Sequence, residues 1–86
     1  LERLDLSRSV KDPKTRLQEY LQSRNLELPE YEVTNTMGKQ HQQMLLVDCT
    51  LAGLGITTTG QGKSRRKGEQ EAASHALEAI GVKQNG

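Results

Sequence analysis

The sequence predicts an α+β domain of order α-β-β-β-α, with two helices packed on one face of a three-stranded antiparallel sheet. Three observations carry this. Leu17, Tyr20, Leu21 and Arg24 recur at helical spacing near the start, and Ala73, Ala76, Leu77 and Ile80 do so near the end. Between them lie three short segments with strand-like alternation or β-branching. The connections between those segments are only a few residues long, which suits an antiparallel meander.

Residues 1–11 mix charges, small polar residues and scattered leucines, and read as an interdomain linker. Asp12-Pro13 is a helix start: Asp can cap, and Pro fits the first helical position. The first helix is expected from about Pro13 to Arg24, with Thr15, Gln18, Glu19 and Gln22 on the face opposite its apolar stripe. Leu26 to Pro29 is a loop. Tyr31 to Met37 reads as a strand with Tyr31, Val33, Asn35 and Met37 on one side. Gly38 to His41 is a turn, and Gln43 to Leu51 a second strand with Leu45, Val47, Cys49 and Leu51 facing one way. Ile56 to Thr59, β-branched throughout, is the third strand. Ser64 caps a second helix that runs to about Ile80, where Gly81 ends it. The folded unit is therefore expected over 12–81, with a flexible tail over 82–86.

Size and composition narrow the function. Among 86 residues, 33% are hydrophobic, and Phe and Trp are absent, so the chain buries one small layer rather than enclosing a large cavity. No segment is apolar enough to cross a membrane. Cys49 stands alone, which excludes an internal disulfide framework and suits a reducing, cytoplasmic setting; in an apolar run it reads as a buried thiol. The chain starts at Leu1 rather than Met, as a piece of a longer protein would. The acids are dispersed, and no His, Cys, Asp or Glu group has metal-ligand spacing. Cys49 and His41 lie near opposite ends of one strand, too far apart for a nucleophile and its base. Neither a catalytic residue nor a metal or cofactor site is nominated.

Charge does point somewhere. The net charge is +1, and residues 1–30 carry six acids and six bases that cancel. Gly60-Gln61-Gly62-Lys63-Ser64-Arg65-Arg66-Lys67 then sets four cations around a helix cap. Cations at a helix N-terminus oppose the helix dipole, a cost that an incoming phosphate would offset. The segment is not a Walker loop, which needs a glycine where Thr57 stands. Tyr20 and Tyr31 both fall on expected core faces, which disfavours stacking on single-stranded bases. A polar helical stripe beside a cationic clamp suits double-stranded RNA, which offers 2′-hydroxyls in a shallow minor groove and phosphates across a narrow major groove.

Thr15-x-x-Gln18-Glu19, Pro29-x-Tyr31, Gly38-x-x-His41 and Gly60-x-Gly62-x-Ser64-Arg65-Arg66-Lys67, in that order, resemble the double-stranded RNA-binding domain family from about Asp12 to Leu77. Lys11 to Gln22 and Ser64 to Gln70 are similar to the C-terminal RNA-binding domain of bacterial ribonuclease III enzymes. The resemblance implies that Thr15, Gln18, Glu19 and Gln22 enter one minor groove and the turn with His41 the next. It places Gln61, Lys63, Ser64, Arg65, Arg66 and Lys67 along the phosphates between them. It also implies a longer parent, a homodimer through a nuclease domain that uses Mg2+, for which this chain holds the duplex without cutting it. The alternative is the same fold serving another RNA-binding or a protein-interaction protein. Three positions depart from the family pattern: Leu45 for the usual Phe, Gly68 for the usual Ala at an expected cost of about 0.5–1 kcal/mol, and Glu69 for a basic residue of other branches, which should trim the clamp by one contact.

Overall fold

The computed structural model describes residues 12–81, so the expected linker over 1–11 and tail over 82–86 lie outside the described residues. Helix α1 spans Pro13–Ser23. The Asp12 carboxylate accepts from the backbone N–H of Thr15 at 3.0 Å, and Pro13 occupies the first helical turn. The helix ends one residue earlier than expected, with Arg24 as its C-cap. Asn25 follows in the left-handed region at φ 59. The N–H of Leu26 then donates to the carbonyl of Leu21 at 2.9 Å, and that of Asn25 to Gln22 at 3.1 Å. These two bonds form a Schellman closure, and Asn tolerates its left-handed position.

Strands β1 (Glu30–Met37), β2 (Met44–Leu51) and β3 (Ile56–Gly62) form an antiparallel sheet in that order. A short 3-10 turn at Gln40–Gln42 connects the first two. Gly38 makes that connection possible: its φ is +90, and a Cβ there would lie 2.3 Å from the carbonyl oxygen of Gln42.

Two expectations for the strands are corrected. Val33 pairs with Val47, but Asn35 pairs with Leu46, so Thr34 is an extra residue in β1. Such a bulge reverses which face each later side chain takes. Asn35 and Met37 therefore leave the inner face predicted for them and are exposed, while Thr36 falls opposite Leu45. The second correction concerns β3, which continues through Gly60-Gln61-Gly62 instead of stopping at Thr59. Gly60 pairs with Val47 and Gly62 with Leu45, so the glycines belong to the sheet and not to a loop.

Helix α2 spans Arg65–Ala79. The Ser64 hydroxyl accepts from the N–H of Lys67 at 3.2 Å, and Gly81 closes the far end at φ 84. Its inner face is made of Gly68, Ala72, Ala73, Ala76 and Leu77, all buried. These small residues let the helix backbone approach the strands. A Cβ on Gly60 would stand 2.2 Å from the backbone nitrogen of Ala72, and one on Gly62 2.6 Å from that of Gly68. The Thr58 hydroxyl donates to the carbonyl of Ala72 at 2.8 Å. Gly68 is no simple weakness either: a Cβ there would meet Cγ2 of Val47 at 2.6 Å.

The core gathers Leu17 and Leu21 of α1, Cys49 and Leu51 of β2, and Ala72, Ala73, Ala76 and Leu77 of α2. Tyr20, Leu26, Tyr31, Ile56 and Ile80 pack around it, and Arg24 lies over the Tyr20 ring at 4.5 Å. Cys49 is fully buried, and burial raises its thiol pKa, so it fills space as a neutral group. The close helix–strand contact predicts that Gly60→Ala lowers unfolding stability by about 1–3 kcal/mol through overpacking. Urea denaturation followed by circular dichroism checks this; an unchanged midpoint would contradict the contact.

Candidate nucleic-acid interface

Thr15, Gln18, Glu19 and Gln22 follow one another at helical spacing on α1, and all four are exposed, as are Gln61, Lys63, Ser64, Arg65, Arg66, Lys67 and His41. Their grouping follows from two joints. The first is the sheet register. Met37 pairs with Met44 and Leu45 with Gly62. The turn carrying His41 therefore lies at the same end of the sheet as the Ser64 cap.

The second joint ties α1 to α2. The Gln70 amide nitrogen donates to the Asp12 carboxylate at 2.9 Å, and its amide oxygen accepts from the backbone N–H of Lys14 at 3.0 Å. Glu69 adds an ion pair with the Lys14 ammonium at 2.5 Å and another with Nε of Arg65 at 2.9 Å. The Lys14 ammonium also sits 5.0 Å from the centre of the Tyr31 ring. The start of α1 is thus held against the first turns of α2. Thr15 and Gln18 consequently share a groove with Arg65 and Arg66, floored by Glu69 and Gln70. A second groove is lined by Gln61, Lys63, Ser64, Arg66 and Lys67 beside Met44. Glu19, Gln22 and His41 line neither groove.

Individual roles sharpen accordingly. Ser64 spends its oxygen on the helix cap. The backbone N–H of Gln61 is already taken, donating to the Glu71 carboxylate at 2.8 Å. Farther along, Nδ1 of His75 lies 2.7 Å from the carbonyl of Thr59, so that nitrogen carries the proton and donates. Glu71 and His75 together cover the free edge of β3. Among the described residues, Lys63, Arg66 and Lys67 make no ion pair, whereas Arg65 does. The organising residues Gln70, Glu69 and Lys14 were not nominated from sequence, because bonds between residues 55 to 58 positions apart leave no local signal.

Charge is segregated between the ends and faces. The sheet face turned away from the helices carries Glu32 directly opposite Asp48, with Glu30 two residues away on the same strand. Asp48 accepts from the Thr59 hydroxyl at 2.9 Å. That face repels a polyanion, while the α2 start attracts one.

Two carboxyls in the helix joint are shifted. Hydrogen bonds from Thr15, side chain and backbone, hold Asp12 below its ordinary value of 3.8. Burial opposes the same shift at Glu69, but Lys14 and Arg65 outweigh it and carry Glu69 below its ordinary 4.5. A depressed carboxyl contributes stability above its unfolded value and loses it as pH falls through the folded one. The melting temperature should therefore hold from neutral pH down to about 5 and drop below it. Glu69→Gln should start lower and fall less steeply; an equally steep fall would contradict the role of Glu69.

A family model described as the double-stranded RNA binding motif matches residues 13–80. Ribonuclease 3 of Hahella chejuensis is 52% identical over 84 residues, covering 98% of this chain and 37% of that protein. Ribonuclease 3 of Thiobacillus denitrificans is 56% identical over 73 residues, covering 85% and 32%. The chain thus spans about a third of the length of these curated relatives. Among solved structures, Arabidopsis HYL1 superposes with a TM-score of 0.66 at 33% identity, over 79% of this chain and 94% of that one. The dsRBD domain of a tRNA-dihydrouridine(20) synthase gives 0.68 at 26% identity, over 91% and 83%. With a family match across nearly all the described residues and relatives above 50% identity, the chain belongs to the double-stranded RNA binding motif family.

Proposed function

We propose that this chain binds double-stranded RNA through shape and backbone contacts. The observation that carries the reading is the shared groove. It sets the hydroxyl and amide of Thr15 and Gln18 beside the guanidinium groups of Arg65 and Arg66. A minor groove needs neutral donors and acceptors for its 2′-hydroxyls, and the neighbouring phosphates need cations. Thr15, Gln18, Glu19 and Gln22 serve one minor groove, His41 the next, and Gln61, Lys63, Ser64, Arg66 and Lys67 the phosphates between, with Arg65 beside them. The acidic outer face of the sheet supports the same orientation by discouraging the opposite one.

Within a longer protein like the ribonuclease 3 relatives, residues 12–81 would be the duplex-holding unit, with 1–11 as a linker and 82–86 as a tail. Strand cleavage, the Mg2+ it uses and homodimer formation are assigned to a nuclease portion outside this chain, working in the cytoplasm. Among the described residues, no group of three or more His, Cys, Asp or Glu side chains could hold a metal ion, and no helix is long and apolar enough to cross a membrane.

Titration with duplex RNA, duplex DNA and single strands at several salt concentrations tests the reading. Duplex RNA should bind tightest. Arg66→Gln should reduce the slope of log affinity against log salt by about one. Replacing Thr15 and Gln18 by Ala should weaken RNA binding about tenfold, two modest hydrogen bonds' worth, and leave DNA binding nearly unchanged. Equal affinity for the two duplexes would sink the 2′-hydroxyl assignment.

A further inference from the structure

Glu69 stands at the centre of the interface, yet it is an acid where a polyanion is to dock. Its side chain is only 12% exposed, and both its oxygens are engaged. One receives the Lys14 ammonium from α1; the other receives Nε of Arg65, four residues earlier on α2. Arg65 is 61% exposed, and its pairing with Glu69 directs its guanidinium one turn toward the C-terminal end of the helix. Among the described residues the other three cations of the cluster make no ion pair, although Arg66 lies close enough to Asp12 to help lower its pKa.

We propose that Glu69 is a positioning residue that limits affinity: by holding Arg65 along the helix, it withholds one of four clustered cations from the RNA backbone. The inference rests on the duplex-RNA reading and deepens it. A neutralised cation releases no counterion on binding, so the wild-type chain pays out one phosphate contact fewer than its sequence offers. The Lys14 backbone N–H stays bonded to Gln70, and its ammonium keeps the Tyr31 ring 5.0 Å away as a second contact.

The test is a double-mutant cycle on the 86-residue chain, titrated with duplex RNA across a salt series. Glu69→Gln should bind about threefold to fivefold tighter and steepen the log–log salt slope by about one, the signature of one released cation. Arg65→Gln should cost less in the wild type, where Glu69 holds the guanidinium, than in the Glu69→Gln background, where it should cancel both effects. Glu78→Gln removes the same charge nine residues farther along α2. That is about 13 Å away, beyond the screening length of about 8 Å at physiological salt, so it should leave the slope unchanged. Thermal melts of each variant separate loss of fold from loss of pairing. An unchanged or flatter slope in Glu69→Gln, or an equal cost of Arg65→Gln in both backgrounds, would overturn the proposal. Failure of the wild type to bind duplex RNA would instead overturn the reading beneath it.

Discussion

The close approach of α2 to strands β2 and β3 is the constraint on which the rest depends. It exists because Gly60, Gly62 and Gly68 lack side chains where backbone or Val47 would be struck. Once the helix lies that close, its first turn is fixed at the end of the sheet where the β1–β2 turn also sits. The residues that start the helix, Ser64 to Lys67, are then displayed at a corner and not along a flat side. Gln70 and Glu69, one turn farther in, reach the start of α1 and set its distance. Positions of three separate surface segments thus follow from one tightly packed seam. Such spacing matters for a rigid helical ligand, whose grooves repeat at fixed intervals and cannot adjust to a loosely held set of contacts.

The arrangement of charge has a related logic. A positive helix start is unfavourable alone, because the dipole already makes that end positive. Ser64 contributes a cap, which satisfies an N–H but not the charge. Glu69 and Asp12 supply negative charge from below, within the joint, where it also ties the helices together. The isolated domain thereby tolerates its cationic corner, and the exposed Lys63, Arg66 and Lys67 remain for a ligand. The cost falls on pH range, since the joint needs both carboxylates ionised.

Features set by neighbours in sequence were legible before the structure. The Asp12 and Ser64 caps, Pro13, the Leu17/Leu21 and Ala73/Ala76/Leu77 stripes and the exposed α1 face all follow from short spacings. The family resemblance nominated the three segments proposed to meet RNA. What sequence could not yield was non-local. Alternation in β1 predicted Asn35 and Met37 inside, and only the pairing with β2 reveals that Thr34 is extra. Gly60 and Gly62 read as a lead-in to the helix cap beyond the end of the third strand, because their real constraint, the backbone of α2, lies elsewhere in the chain. Gly68 read as a weak point for the same reason. Gln70 carried no signal at all, since a glutamine on a helix is ordinary until the partner across the joint is seen.

The central claim is that three surface segments, held at fixed spacing by the packed seam, meet one RNA duplex together. Backbone amide shifts recorded by NMR during titration with duplex RNA test it most directly. The account predicts concerted changes over Thr15–Gln22, over Gly38–Gln43 and over Gly62–Gly68, at one common midpoint, with Glu30, Glu32, Asp48 and Thr59 on the outer sheet face unmoved. Changes centred on that outer face, or confined to one of the three segments, would contradict it.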